Sequence, residues 1–329
     1  MDSKDIKNIL IVQIGKIGDM ILTTPLFIKL KEIFPDSRLT VLASPINKDI
    51  PLYHKYVDEV IIYEKNIFSL PGLLLKLRNN KYDLWIDSKK EISKTSIKLV
   101  KYAKPNLSAG FNFDSKIYDI DLNEFYQPPC NEHTIYINLA VLKYFGMDIK
   151  DNVKPIVFIP EDVSKFVENR IKYILGKIIL LNISSGNEIR FWSRENWIML
   201  IDNLKSHNSV IITGIRKDEE IVRSIFSGCK GKNVFYFISR SVLEFAELIK
   251  RCDLLISPDT SAVHFASCFD TPIVALFNKV EWNYKRFAPL STKQKVFISD
   301  SPVSMESINV EDVLNGVNAL ISMQDMQIK

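Results

Sequence analysis

The feature that most constrains this chain is an alternation that runs twice. Short, nearly uninterrupted apolar runs are separated by longer segments with helical spacing. Asn8–Ile14 reads NILIVQI, and Asp19–Phe34 follows with Ile21, Leu22, Leu26, Leu30 and Ile33 spaced as on a helix. Strands are expected again at Arg38–Ala43, Glu59–Tyr63, Asp83–Asp87 and Leu107–Phe111. Helices are expected near Pro71–Asn79, Ser93–Ala103 and His133–Phe145. Continuous apolar strands of this kind belong to parallel sheets covered by helices on both faces.

The pattern pauses over Met147–Pro160, which carries two prolines and little periodicity, and then restarts. Strands are read at Lys177–Asn182, Asn208–Thr213, Asn233–Phe237, Asp253–Ser257 and Pro272–Phe277. Helices are read at Glu161–Leu175, Arg194–Ser206, Asp218–Phe226, Val242–Lys250, Thr260–Phe269 and Ser307–Met323. A length of 329 residues suits two domains better than one core. The fold class is therefore α/β, with two Rossmann-like doubly wound domains at residues 1–155 and 156–329. Whether the last helix stays on its own domain or returns to the first is open. Ligands of such sheets bind beyond the carboxyl ends of the strands. Two facing domains would make a cleft, and its residues should lie just after strands.

Composition removes other classes. With 47% hydrophobic and 25% charged residues, disorder and low complexity are excluded. A net charge of +4 is too mild to argue for nucleic acid. Cys130, Cys229, Cys252 and Cys268 form no CxxC pair, as expected of reduced thiols in a cytosolic protein. The first residues lack a signal-peptide pattern, and no run approaches the ~18 apolar residues of a membrane span. The expectation is a cytoplasmic monomer that meets a membrane, if at all, peripherally from the cytosolic face. The histidines show no paired spacing and no DxD follows a strand, so no metal site is expected.

Four stretches could carry chemistry. The first is GKIGD, where Gly15 and Gly18 suit a tight turn and Asp19 opens a helix. It matches neither GxGxxG nor GxxxxGK[ST]. An acid in a first turn favours the helix dipole and needs no further reason. The chemical alternative is a general base, since Asp19 would repel a phosphate. The second stretch, NISSGNEIR, places Ser184, Ser185 and Arg190 after a strand. Hydroxyls and a guanidinium suit a diphosphate, and an ordinary loop would look the same. Trp192 and Trp197 beside it read as packing residues. In the third, Gly214 ends a strand and Glu219 follows near a helix start. An acid there can hold ribose hydroxyls or serve the helix dipole. The fourth, ISPDTSAVH, offers Asp259 as an N-cap and the amides of Thr260, Ser261 and Ala262 as a phosphate site. His264 fits either a core position or the site.

Together, ILIVQIGKIGDMILTTPLFIKLKEIFPDSRLTVLASP and SPDTSAVHFASCFDTPIVALF resemble the ADP-heptose:lipopolysaccharide heptosyltransferases of glycosyltransferase family 9. The likeness covers essentially the whole chain. It implies a GT-B fold, with acceptor on the N-terminal side and nucleotide sugar on the C-terminal side. It implies inverting, metal-independent transfer without a cofactor, from ADP-heptose as substrate to a lipid-linked or lipopolysaccharide acceptor at the inner membrane surface. Asp19 matches the family's base. Ser184, Ser185 and Arg190 match its diphosphate contacts, where the family commonly has Thr and Lys. Glu219 matches the ribose acid, with Asp218 and Glu220 as register alternatives. Asp259, Thr260, Ser261 and Ala262 match the sugar-binding turn, with Ser261 standing where the family has glycine. Acceptor contacts are expected from Ser44–Tyr53, Ser88–Ser96 and Gly110–Ser115. Lys89, Lys90 and Lys94 suit either anionic sugars or a solvated helix face.

Overall fold

A computed structural model of the chain describes residues 6–91, 93–112, 116–126, 133–149, 152–229 and 231–325. The expected thiol at Cys130 and the end of the Gly110–Ser115 loop lie outside them. The chain separates into two units, Met1–Phe158 and Ile159–Lys329.

The first unit runs β1 (Asn8–Gln13), α1 (Ile17–Ile33), β2 (Arg38–Ala43), α2 (Asp49–Leu52), β3 (Glu59–Ile62), α3 (Leu70–Asn79), β4 (Leu84–Asp87), α4 (Lys94–Ala103), β5 (Leu107–Gly110), β6 (Ile120–Asp121) and α5 (Thr134–Tyr144). Its six strands are ordered β3-β2-β1-β4-β5-β6 and all pair in parallel. Val12 aligns with Leu42 on one side, and Ile11 with Ile86 on the other. The chain therefore reverses direction across the sheet between β1 and β4, the crevice where such sheets bind ligands. Ile9, Leu10 and Ile11 are fully buried, as an apolar central strand must be.

Helix α1 contains Pro25, which supplies no amide for the carbonyl of Ile21. Thr24 covers that deficit by donating its hydroxyl to Ile21 at 2.8 Å. The same oxygen accepts from the amide of Ile156 at 2.9 Å, which ties the latter part of the linker to α1. The sequence TTP is thus compatible with a helix interior.

The second unit runs α6 (Glu161–Ile171), β7 (Ile178–Asn182), α7 (Arg194–Leu204), β8 (Ser209–Ile215), α8 (Glu219–Gly228), β9 (Val234–Ser239), α9 (Val242–Arg251), β10 (Leu254–Pro258), α10 (Ser261–Phe269), β11 (Ile273–Phe277), α11 (Glu281–Phe287), β12 (Gln294–Ile298) and α12 (Val310–Asp325). Its parallel order is β12-β11-β10-β7-β8-β9, so direction reverses between β7 and β10. Trp192 and Trp197 are buried edge-to-face at 5.0 Å, the packing role read from sequence. Helix α12 packs on α7, β11 and β12 and sends Val313, Val317 and Leu320 into this unit's core. Its apolar face therefore belongs to the second unit's core.

Four elements have no counterpart in the sequence reading: α2, β6, α11 and β12. Strand β12 begins with exposed Gln294 and Lys295 at the sheet edge, so it lacks the apolar run that marks its neighbours. Helix α6 stops at Ile171, short of the expected Leu175, and the chain turns at Gly176 with φ +78°. Among the described residues no helix is long and apolar enough to cross a membrane.

Candidate active site

In the first unit the loop after β1 is held from below and from beside. The Nδ2 of fully buried Asn47 donates to the carbonyls of Gln13 at 2.9 Å and Gly15 at 3.1 Å. Ser44 adds its hydroxyl to the Gly15 carbonyl at 3.0 Å. Beneath the loop, Gln13 Nε2 donates to Thr23 Oγ1 at 3.0 Å, and Asn138 Nδ2 reaches the same oxygen at 3.2 Å. Thr23 in turn donates to the carbonyl of Asp19 at 2.8 Å. Asp19 is the third residue of α1, and its Oδ2 accepts the amide of Lys16 at 3.1 Å. That bond fixes the carboxylate at the helix start, half-buried at the carboxyl end of β1.

Gly15 leaves room for the carboxylate as it stands. A Cβ on it would lie 2.8 Å from Asp19 Oδ2 and 2.9 Å from Gln13 Oε1. Neither Gly15 nor Gly18 has a positive φ, so the need at Gly15 is space rather than backbone freedom. Gly18 sits within the first turn of α1.

The end of β4 supplies a second carboxylate. Asp87 is buried and accepts from Tyr118 Oη at 2.9 Å and from the amide of Lys89 at 3.3 Å. Burial pushes its pKa up, and the hydrogen bonds from Ser96 and Tyr118 oppose that only in part. Burial likewise raises Tyr118, with the charge of Asp87 adding to it.

In the second unit the equivalent crevice gathers most of the sequence-expected residues. Asn182, the last residue of β7, donates Nδ2 to Ser257 Oγ at 2.9 Å and to Thr260 Oγ1 at 3.1 Å. This bridges the ends of β7 and β10. Arg190 Nη1 reaches the Asp259 carbonyl at 2.9 Å and its Oδ2 at 3.1 Å. Asn283 on α11 donates to the same Oδ2 at 2.6 Å. Asp259 and Asn283 are buried, whereas the Arg190 side chain is 29% exposed. Its Nε and Nη2 carry no hydrogen bond among the described residues and stay available to an anion. Asn278, just after β11, steadies this turn by donating to the Ile189 carbonyl at 2.8 Å.

One expectation is corrected here. Asp259 does not cap α10; Thr260 does, its hydroxyl accepting the amide of Ala262 at 3.3 Å. The amide of Asp259 still bonds Leu276 in the sheet, so that residue belongs to the strand end and its side chain turns to Arg190. Ala262 is buried with its amide occupied, which leaves the amides of Thr260 and Ser261 as the open donors of the turn.

Ser184 is placed as a tie. Its hydroxyl donates to Asp218 at 2.5 Å and accepts from the amide of Ile215 at 3.0 Å. Ser185, beside Gly186 with φ +67°, makes no side-chain hydrogen bond among the described residues. Gly214 allows this approach, since a Cβ there would stand 3.1 Å from Ser184 Oγ. Of the three acids, Asp218 meets this loop. Glu219 is instead paired with Arg223 at 2.7 Å, and Glu220 is exposed. His264 is buried in α10 near the ring of Phe287 at 6.0 Å. Among the described residues no group of three or more His, Cys, Asp or Glu is placed to hold a metal ion. Asn47, Asn182 and Asn283 are positioning residues that the sequence reading missed. Only Asn182 left a trace, as a polar end to an apolar strand.

Comparisons with known proteins bear on the family and the fold. The curated lipopolysaccharide heptosyltransferase 3 of Escherichia coli is 22% identical over 276 residues, 80% of this chain and 81% of that one. A crystal structure of a family 9 glycosyl transferase from Veillonella parvula superposes with TM-score 0.83 at 19% identity, covering 98% and 99% of the two chains. The E. coli ADP-heptose lipopolysaccharide heptosyltransferase II superposes with TM-score 0.78 at 19% identity, over 97% and 99%. The model of glycosyltransferase family 9 (heptosyltransferase) matches residues 72–315. A match over that much of its length makes this chain a member of glycosyltransferase family 9, a GT-B enzyme of the heptosyltransferase kind.

Proposed function

We propose that the chain transfers a heptose, or a closely related sugar, from an ADP-sugar to a lipopolysaccharide core or similar surface glycan, with inversion and without a metal. The observation that carries this reading is the pairing of opposite chemistries at equivalent places. A carboxylate stands at the first βα turn of one unit, and a guanidinium with a helix N-terminus stands at the crevice of the other. The donor class is supported by the solved relative whose description names ADP-heptose.

In this mechanism Asp19 takes the proton of an acceptor hydroxyl as its oxygen attacks the anomeric carbon. The new C–O bond forms opposite the bond to the diphosphate, which breaks, so the configuration inverts. Negative charge gathers on the departing diphosphate. The outward N–H groups of Arg190, the hydroxyl of Ser185 and the amides of Thr260 and Ser261 meet it with preset dipoles. Asp259, held by Arg190 and Asn283, accepts a hydrogen bond from a hydroxyl of the donor sugar. Asp218 or Glu219 holds the ribose. Fixed positive charge in the chain does what a divalent ion does in other transferases.

The test is release of nucleotide from a panel of nucleotide sugars, each with a core oligosaccharide acceptor. ADP-heptose is expected to turn over fastest, and Asp19→Asn to stop release while donor binding persists. Turnover with a different nucleotide sugar alone would favour a second reading, a family 9 transferase with another donor. Ser261, where the family has glycine, is the residue that motivates it.

A further inference from the structure

The end of β4 holds a carboxylate that the transfer mechanism leaves idle. Asp87 is the last residue of that strand. Strand β4 pairs in parallel with β1, so the segments that leave their carboxyl ends border one crevice. One of these segments bears Asp19. The other starts beside Asp87.

Asp87 gathers three pieces of chain, all in the first unit. Its Oδ1 accepts the amide of Lys89 at 3.3 Å, which turns the chain at the strand end. Its carboxylate accepts the hydroxyl of Ser96, on the first turn of α4. Its Oδ2 accepts the hydroxyl of Tyr118 at 2.9 Å, from the segment after β5. Tyr118 is set for this bond by its own neighbours. Asn112 accepts the amides of Ile117 at 2.9 Å and Tyr118 at 3.0 Å, and donates to the Tyr118 carbonyl at 2.9 Å. Gly110 leaves room for the ring, since a Cβ there would lie 2.5 Å from its Cδ2 and Cε2.

Such a tie is costly to the fold. Burial raises the pKa of Asp87, the donors it meets are two hydroxyls and an amide, and the charge of Lys89 is the smallest influence on it. An apolar side chain would hold the strand end as well. What the carboxylate adds is direction: it fixes two segments against the strand that lies beside β1. The next residue, Ser88, has a buried hydroxyl with no hydrogen-bond partner among the described residues. This wall therefore keeps a polar atom to spare for a ligand.

We propose that Asp87 is a positioning residue for the sugar acceptor: through Lys89, Ser96 and Tyr118 it holds the segments after β4 and β5 as one wall of the acceptor's crevice. The inference rests on the transfer proposed above and deepens it, since it assigns a residue to the acceptor alone.

The experiment measures initial rates of the full chain with donor and core oligosaccharide each varied in turn, together with ADP affinity by calorimetry. Asp87→Ala should raise the acceptor KM about tenfold or more, with donor KM and ADP affinity unchanged. Asp87→Asn keeps the size and the capacity for hydrogen bonds, and should restore most of that loss. Ser96→Ala with Tyr118→Phe leaves the carboxylate in place and should raise the acceptor KM severalfold. That paired variant decides the matter if Asp87→Ala fails to fold. An unmoved acceptor KM in a chain that still turns over would overturn the positioning role and leave the proposed function intact. A donor KM that rises as much as the acceptor KM would also overturn it, because the tie would then serve the fold in general. A wild-type chain that transfers no sugar to the core oligosaccharide would overturn both.

Discussion

The two units use one strand order to place opposite charges. Each has a central pair of strands where the connection reverses, β1 with β4 and β7 with β10. Each ends the second strand of that pair with a buried aspartate, Asp87 in the first unit and Asp259 just past the strand in the second. Their partners differ. Asp87 accepts from Tyr118, Ser96 and the Lys89 amide, the charge of Lys89 is the smallest influence on it, and burial raises its pKa. Asp259 has a guanidinium at 3.1 Å and an amide at 2.6 Å. The scaffold therefore does not decide whether a crevice favours an anion; the residue reaching in from the neighbouring loop does. Arg190 arrives from the turn after β7, and the matching turn after β1 carries Asp19 instead.

Four measurements would break or sharpen this contrast. The largest effect belongs to Asp19→Asn. If the first crevice works as a base and not as an anion site, kcat should fall about 10²- to 10⁴-fold with donor affinity retained. Arg190→Ala comes next. It should weaken ADP binding about 10- to 100-fold and lower stability, because Asp259 loses the guanidinium at 3.1 Å. Calorimetry with ADP reads the first quantity and urea melts the second.

The third measurement concerns acid. His54 is 2% exposed among Phe27, Tyr56 and Phe158, and burial, with Lys55 second, lowers its pKa from 6.5 to about 4. The folded first unit holds it neutral while the unfolded chain protonates it below 6.5. Its contribution is complete above that pH and is lost as pH falls toward 4, by about 3 kcal/mol in all. His54→Leu should flatten that slope in melts taken across the range. The smallest effects come from the partners of the two aspartates. Asn283→Ala should cost about 2 kcal/mol and raise the donor KM with little change in kcat. Tyr118→Phe should cost about 1 kcal/mol and leave the donor KM alone. Equal effects on donor KM would erase the distinction between the crevices.

Much of this was legible in the chain. Central strands such as NILIVQ and IILLN declare themselves because both faces are buried. Asp19, Arg190 and Asp259 were visible because residues just after such strands reach the crevice. The cap on α10 was misread because sequence does not show that the amide of Asp259 still belongs to the sheet. Glu219 stands out as an acid after the second strand of its unit, and its pairing with Arg223 one turn on is not visible in the chain alone. The asparagines escaped notice for a different reason. Asn182 meets Thr260 and Asn283 meets Asp259 only after the strands between them have paired, and no local spacing encodes that. Strand β12 was silent because an edge strand need not be apolar.

The absent side chain at position 15 has an implication for reading genomes. The atoms a Cβ would strike there are the ends of two side chains, Asp19 and Gln13, rather than backbone. Ends can swing away, so an alanine at this site would be tolerated by the fold while the carboxylate is pushed off its mark. A homologue silenced in this way would keep every reactive group and pass any inventory of them. Its inactivity would be recorded only in the loss of a glycine.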